Sequence, residues 1–213
     1  MAYRETARTL SKRREDRERI VRVALRLIAE HGFRGVQVAG VAEAAQVATG
    51  TVYRHFPSKE ELFAEVFRQA AGREVEATAA GAVGPDTRAR LTGAVETFAR
   101  RALDHPTLAY ALLVEPVDPA IEAERLTFRR AYRALFSGLL SAGMKRKELS
   151  RQDPEVVAAA LVGAIGEALV SPLSPPAFRP ASEAVISELI RFCLRAVTLQ
   201  ELTDERPRRR RTA

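Results

Sequence analysis

Residues 50–62 read Gly50-Thr51-Val52-Tyr53-Arg54-His55-Phe56-Pro57-Ser58-Lys59-Glu60-Glu61-Leu62. Val52 and Phe56 stand one helical turn apart and share a face. Pro57 stops that helix, because its ring and missing N–H cannot continue the hydrogen-bond ladder. Ser58-Lys59-Glu60-Glu61 is a capping box: the serine hydroxyl takes the Glu61 amide while that carboxylate reaches back. The pattern predicts a short helix over 49–56 and a long one from 58 to about 80. Thr49, Gly50, Thr51, Tyr53 and Arg54 remain outward on the short helix. A merely solvated helix usually mixes in Glu or Asp; this face of hydroxyls, a glycine and one cation suits phosphates and base edges.

Upstream, Val38, Val41, Ala42 and Ala45 share one face of a second short helix over 38–45. About three residues join it to the helix at 49, and two short helices with such a turn form a helix-turn-helix. The small Ala42 and Ala45 permit close approach. Ile20, Ala24 and Leu27, on a first helix over 12–31 that Gly32 terminates, supply the surface on which Val41, Val47, Val52 and Phe56 lock.

With these residues in view, Gly32-Phe33-Arg34, Val41-Ala42-Glu43-Ala44-Ala45 and the run from Gly50 to Leu62 resemble the DNA-binding domain of the TetR family of transcriptional regulators. The resemblance implies that Tyr53 and His55 contact the operator backbone and that Lys59 reaches a phosphate. It places Thr49, Gly50 and Thr51 near bases and backbone, with Arg54 beside them and Arg13, Arg14 and Arg17 where a basic arm often extends. Each has a plainer alternative. Tyr53 packs on the first helix, or His55 merely closes the helix C-terminus. For Lys59, a cation at a helix N-terminus opposes the dipole by about 0.3–1 kcal/mol, which favours an external anionic partner. Three positions depart from the family pattern. Gln46 stands where glycine is common in the turn, Ala48 where a serine caps the recognition helix, and Gln37 before Val38 where threonine opens the preceding helix. Gln37 and Ala48 still belong to the expected DNA-facing set.

The rest of the chain reads as helices over about 87–103, 107–114, 119–142, 154–170 and 181–202, with Gly143 ending the helix over 119–142 and a proline-rich loop over 171–180. No stretch alternates with period two, so the expected class is all-α with about nine helices. A three-helix head over 1–57 joins a helical body over 58–202, followed by a disordered basic tail over 203–213. Helix 154–170 is apolar nearly all round and must be covered on every side. Its Val157, Leu161 and Ala164, with Val185, Leu189 and Cys193 of the last helix, are expected to pair across a two-fold axis. The resemblance implies the same homodimer, with recognition helices about 34 Å apart on palindromic double-stranded operator DNA. It also implies a small-molecule effector pocket, for which Phe67, Phe98, Tyr110, Leu112, Phe128 and Tyr132 are candidates; an aromatic stripe at helical spacing is more often plain core. Glu115 and Glu167 either orient a polar ligand or lie on the surface.

Among 213 residues the net charge is +7, and it sits at the ends. Residues 1–60 carry 12 Lys and Arg against 7 Asp and Glu, and residues 203–213 carry 5 against 2. A basic end on a neutral body fits a nucleic-acid reader, although an Arg-, Ala- and Pro-rich composition arises equally from GC-rich coding. No apolar run reaches the roughly 18 residues of a membrane span, the longest being cut by Glu167, and no secretory signal is visible. The single Cys193 excludes an internal disulfide framework, and the expected location is the cytoplasm. No nucleophile elbow, phosphate loop, zinc motif or cysteine–histidine pair is present, so no enzyme, metal or cofactor is expected. A purely structural helical adaptor is the other alternative; it predicts no salt-dependent DNA affinity.

Overall fold

The computed structural model describes residues 7–173 and 182–198. Among them nine helices and no strand are found: α1 (Ala7–His31), α2 (Val38–Ala44), α3 (Thr49–His55), α4 (Lys59–Gly81), α5 (Thr87–Asp104), α6 (Pro106–Leu113), α7 (Pro119–Lys145), α8 (Pro154–Leu173) and α9 (Ser182–Thr198). The expected basic tail lies outside the described residues, as does the expected proline-rich loop from residue 174 onward.

Local chemistry explains most boundaries. The Ser58 hydroxyl accepts the Glu61 amide at 3.1 Å and Asp86 that of Ala89 at 2.7 Å. Asp118 accepts from Ala120 and Ile121, with Pro119 at the first helical position, where a missing N–H costs nothing. α1 ends at Gly32, left-handed at φ +71, whose amide still reaches the Ile28 carbonyl. α1 begins five residues before the predicted start, and pairs such as Ser11–Glu15 and Asp16–Arg19 support its polar first half.

Two ends differ from expectation. α7 runs through Gly143, which serves close packing: a Cβ there would lie 2.5 Å from the Thr87 hydroxyl oxygen. The helix stops at Lys145, and Lys147 turns the chain in a left-handed conformation at φ 60. Glu148 then clasps the start of α5, accepting from the Thr87 amide and hydroxyl and from Arg146, which hold its carboxyl down at about 2. α8 continues past the predicted stop through Pro172. Proline is tolerated in this final turn because the carbonyl it leaves unbonded, that of Ala168, belongs to an exposed residue.

α1 packs on α2, α3, α4 and α6, while α4 runs on into the body against α5 and α7. One continuous apolar core therefore spans both, with Ile20, Ala24, Val41, Val52 and Phe56 in the head and Leu91, Phe136, Leu140 and Leu161 in the body. α8 is long and apolar enough to cross a membrane by length and composition alone, with mean hydropathy 1.9 over its best window despite Glu167, contrary to the sequence expectation. Ala158, Leu161, Ile165, Leu169 and Leu173 on one face of it are buried within the chain, and its main neighbour is α7.

The turn between α2 and α3 carries a measurable strain. Gln46 sits at φ 54, where a side chain costs about 1 kcal/mol relative to glycine. Gln46→Gly is expected to raise the unfolding free energy by about that amount in urea denaturation, without altering the helix content.

Candidate nucleic-acid interface

α3 is pinned by its inner face. Val52 and Phe56 are buried against α1, and Arg17 of α1 lays its guanidinium 4.9 Å from the centre of the Phe56 ring. Because those two residues are fixed, the opposite face is fixed too. Thr49, Gly50, Tyr53 and Arg54 are exposed, Thr51 is half-buried at the edge, and Tyr53 is 46% exposed rather than packed on α1. Gln37 and Ala48, the residues before α2 and α3, are exposed and give no side-chain cap. Gly50 has nothing within 4 Å of where a Cβ would stand, so the chain's own packing does not require glycine there.

Cations gather around this face. Half-buried His55 lies at the end of α3, its pKa held below the usual 6.5 mainly by burial; Asp16 pulls it up, and Arg13, Arg17 and Arg54 push it further down. At neutral pH it therefore offers a neutral imidazole. Lys59 rests its ammonium 5.0 Å from the Phe63 ring centre, an internal contact that offsets part of its conflict with the α4 dipole. Arg17 also meets Glu65 at 3.5 Å, which ties the basic flank of α1 to α4.

The head meets the body through a contact that the sequence reading did not find. Glu115, in the loop after α6, is only 5% exposed, and its carboxylate oxygens accept the amides of Phe33 and Arg34 at 2.9 Å each. Those amides follow the end of α1, and a Cβ on Gly32 would crowd the same carboxylate at 3.0 Å. Arg125 of α7 holds the loop from the other side, donating to the carbonyls of Leu112 (3.0 Å), Ala111 (3.3 Å) and Glu115 (2.7 Å). It thereby caps the open C-terminal carbonyls of α6. Burial lowers the Arg125 pKa and Glu122 opposes the shift. Beside this polar joint runs a chain of rings. Phe33 lies 6.1 Å from Phe67, Phe67 6.1 Å from Phe128, Phe128 4.7 Å from Tyr132 and Tyr132 5.0 Å from Phe98.

That chain ends at a cleft of about 500 Å³ between α7 and α8, closed by α5 and the end of α6. Phe98, Phe128 and Tyr132 line it, and Leu112 lines a smaller chamber of about 30 Å³ behind them. Two expected lining residues do not take part. Phe67 is fully buried one ring away, and Tyr110 lines neither chamber, its carbonyl instead accepting from Val114 and Glu115. Glu167 stands exposed at the cleft rim.

The outer face of α8 and α9 differs from the one expected. Leu161 and Cys193, each 1% exposed, point into the chain's own core, so they are not free to meet a second copy, whereas Leu189, largely buried, still lines the outward groove. Burial raises the Cys193 thiol to about 11, as befits an inert thiol. Val157, Ala164 and Val185 are half-buried at the edge. The outward groove, about 520 Å³, runs along Ala164, Ala168, Ala184, Val185, Glu188, Leu189 and Phe192, with Phe192 52% exposed and Val156 exposed on α8. Among the described residues no group of His, Cys, Asp and Glu is placed to hold a metal.

Comparison with known proteins gives consistent results. Residues 20–66 match the family model described as bacterial regulatory proteins, tetR family, and residues 84–168 a tetracyclin repressor-like C-terminal domain. The HTH-type transcriptional repressor KstR2 of Rhodococcus jostii is 33% identical over 137 residues, 61% of this chain and 65% of that one. The match thus spans just under two thirds of that relative. The fatty acid degradation regulator FadR from Bacillus halodurans superposes with a TM-score of 0.72 at 21% identity, covering 90% of this chain and 97% of that one. FadR from Bacillus subtilis, solved in complex with stearoyl-CoA, gives 0.72 at 19% identity, covering 84% and 98%. At these identities the two structures share the fold.

The Glu115 joint makes a direct expectation. Glu115→Ala leaves two amides without their acceptor and is expected to cost about 2–3 kcal/mol. Faster hydrogen exchange at Phe33 and Arg34, ahead of the α8 core, is the signature that separates loosening of this joint from general destabilisation.

Proposed function

The chain belongs to the TetR family of bacterial regulatory proteins, a family of regulators and not of enzymes, and from that premise we propose that it is a homodimeric, cytoplasmic repressor released from operator DNA by a small-molecule effector. The observation that carries the proposal is the acid-free exposed face of α3, held rigid by the burial of Val52 and Phe56. Thr49, Thr51 and Tyr53 bring hydroxyls and Arg54 a guanidinium to a groove. Gly50 lets the DNA approach where the protein itself asks for no glycine. Gln37, Ala48, His55 and Lys59 flank this face, His55 as a neutral donor and Lys59 as a phosphate ligand. The division into a DNA-binding head ending near residue 57 and an effector and dimerisation body fits the same reading.

The second copy is assigned to the outward groove of α8 and α9. Of the expected contacts, Ala164, Val185 and Leu189 line this groove, Leu161 and Cys193 do not, and Ala168 and Phe192 join them. Supporting this, Phe192 and Val156 are large apolar side chains left to solvent on neighbouring helices. Closed two-fold symmetry then spaces the recognition helices by about one DNA turn or a multiple of it.

The effector site is assigned to the α7–α8 cleft, supported by the fold it shares with a regulator solved with stearoyl-CoA. Leu113 and Val114 line the cleft, and the next residue, Glu115, holds the head. A ligand that shifts the end of α6 therefore acts on the Phe33–Arg34 turn, through both the carboxylate and the ring chain. The change in operator affinity equals the ligand's preference between the two head positions.

The test is binding to palindromes from the promoter beside its own gene over a salt series. Affinity falling steeply with salt is expected, and a flat response overturns the reading. Lys59→Ala is expected to weaken binding to all sequences and to reduce the salt slope by about one. Phe192→Glu is expected to weaken the dimer by about 2 kcal/mol or more in sedimentation experiments and to lose operator affinity with it.

A further inference from the structure

The α7–α8 cleft is chemically lopsided. Its floor is made by Phe98, Phe128, Tyr132, Phe136 and Ile165, most of them buried. Its α7 rim is Arg129, Arg130 and Arg133, all exposed. Arg133 has Glu155 at 3.4 Å, whereas Arg129 and Arg130 have no ion-pair or hydrogen-bond partner among the described residues. One acid, Glu167, faces them from the α8 side. An apolar floor under a net positive rim is complementary to a molecule with an apolar body and an anionic head.

The inner end is also defined. Phe98, Leu113, Phe128 and Tyr132 line both the large cleft and the small chamber behind it, so they form the wall between the two. Tyr132 is the centre of that wall. Phe98 and Phe128 meet it edge to face, at interplanar angles of 85° and 84°, and its hydroxyl lies 3.3 Å from the buried Thr78 hydroxyl. Behind it the Glu74–Arg101 ion pair, 2.6 Å, lines the chamber, a surface that an alkyl chain end meets at a cost.

Resting on the assignment of this cleft as the effector site, we infer that it takes an amphipathic anion. The head lies on Arg129 and Arg130 and the apolar body on Phe128, Phe136 and Ile165, with Tyr132 as the stop that sets the longest chain accepted. Tyr132 is then the specificity-determining residue of the site, and the two arginines select charge.

Calorimetric titration of the full chain, with no DNA present, tests this using straight-chain carboxylates from octanoate to hexadecanoate and the matching primary alcohols. Dodecyl phosphate is a third arm that separates a phosphate head from a carboxylate one. Anions of the best length are expected to bind about tenfold or more tighter than the alcohols. The double variant Arg129→Gln/Arg130→Gln, on the exposed rim, is expected to abolish that preference while alcohol binding persists. Tyr132→Leu is expected to move the optimum to longer chains, a displacement that mere loosening of the core would not produce. Should that variant fail to fold, Tyr132→Phe, which removes only the hydroxyl anchor, is expected to broaden the length profile. Equal binding of acids and alcohols overturns the inference, as does a length optimum unmoved in folded Tyr132→Leu or, where only Tyr132→Phe folds, a length profile left as sharp as before. Absence of binding by every chain overturns it too, and salt-dependent operator binding measured beside it shows that the regulator reading stands alone. Loss of operator binding with anion binding intact is the opposite failure, which removes the repressor and keeps the site.

Discussion

Two backbone amides, those of Phe33, buried, and Arg34, at the edge of the contact, follow the end of α1, and the carboxylate of Glu115 takes both. A buried donor without an acceptor costs about 1–3 kcal/mol, so the orientation of the head on the body is tied to this one side chain. Gly32 makes room for it, since a Cβ there would stand against the carboxylate oxygens. Arg125 fixes the loop that presents it, using carbonyls that the end of α6 leaves open. Without them the head keeps its core of Val41, Val52 and Phe56 and its apolar packing on α4, but loses the polar half of its attachment to the body.

The same arrangement places the α7–α8 cleft and the head within one continuously packed core. Phe128 touches the cleft on one side and Phe67 on the other, and Phe67 touches Phe33 beside the joint. Close-packed rings do not compress, so a change at the cleft floor is passed on or refused as a whole. A polar link and an apolar link thus run side by side from the body to the head.

Local rules made much of this readable from the chain alone. Val52, Phe56 and Pro57 announce α3 because a period of four and a helix breaker act within one turn, and Ser58 announces α4 for the same reason. The acid-free outer face of α3 was readable once its inner face was known. What escaped depends on distance along the chain. Glu115 bonds residues 82 and 81 positions away, and a carboxylate before Pro116 reads only as a loop acid. Gly143 read as a helix stop because the Thr87 hydroxyl that crowds it is contributed by another helix. α8 and α9 are apolar over broad faces, and periodicity does not say which half the chain covers itself. Leu161 and Cys193 consequently turn inward, while Phe192, which the pattern did not single out, faces out. Phe67 and Tyr110 shared the helical spacing of true cleft residues, and only their depth separates them from Phe98 and Tyr132.

Cys193, the sole thiol of the chain, is sealed at the contact of α9 with the body and held protonated by that burial. Oxidants and alkylating agents reach it only when α9 lifts, because the thiolate is the reactive form and the closed protein supplies almost none. The molecule thus carries its own stopwatch. The rate at which a maleimide consumes this one sulfur counts openings of the terminal helix, with no engineered label and no background from a second site.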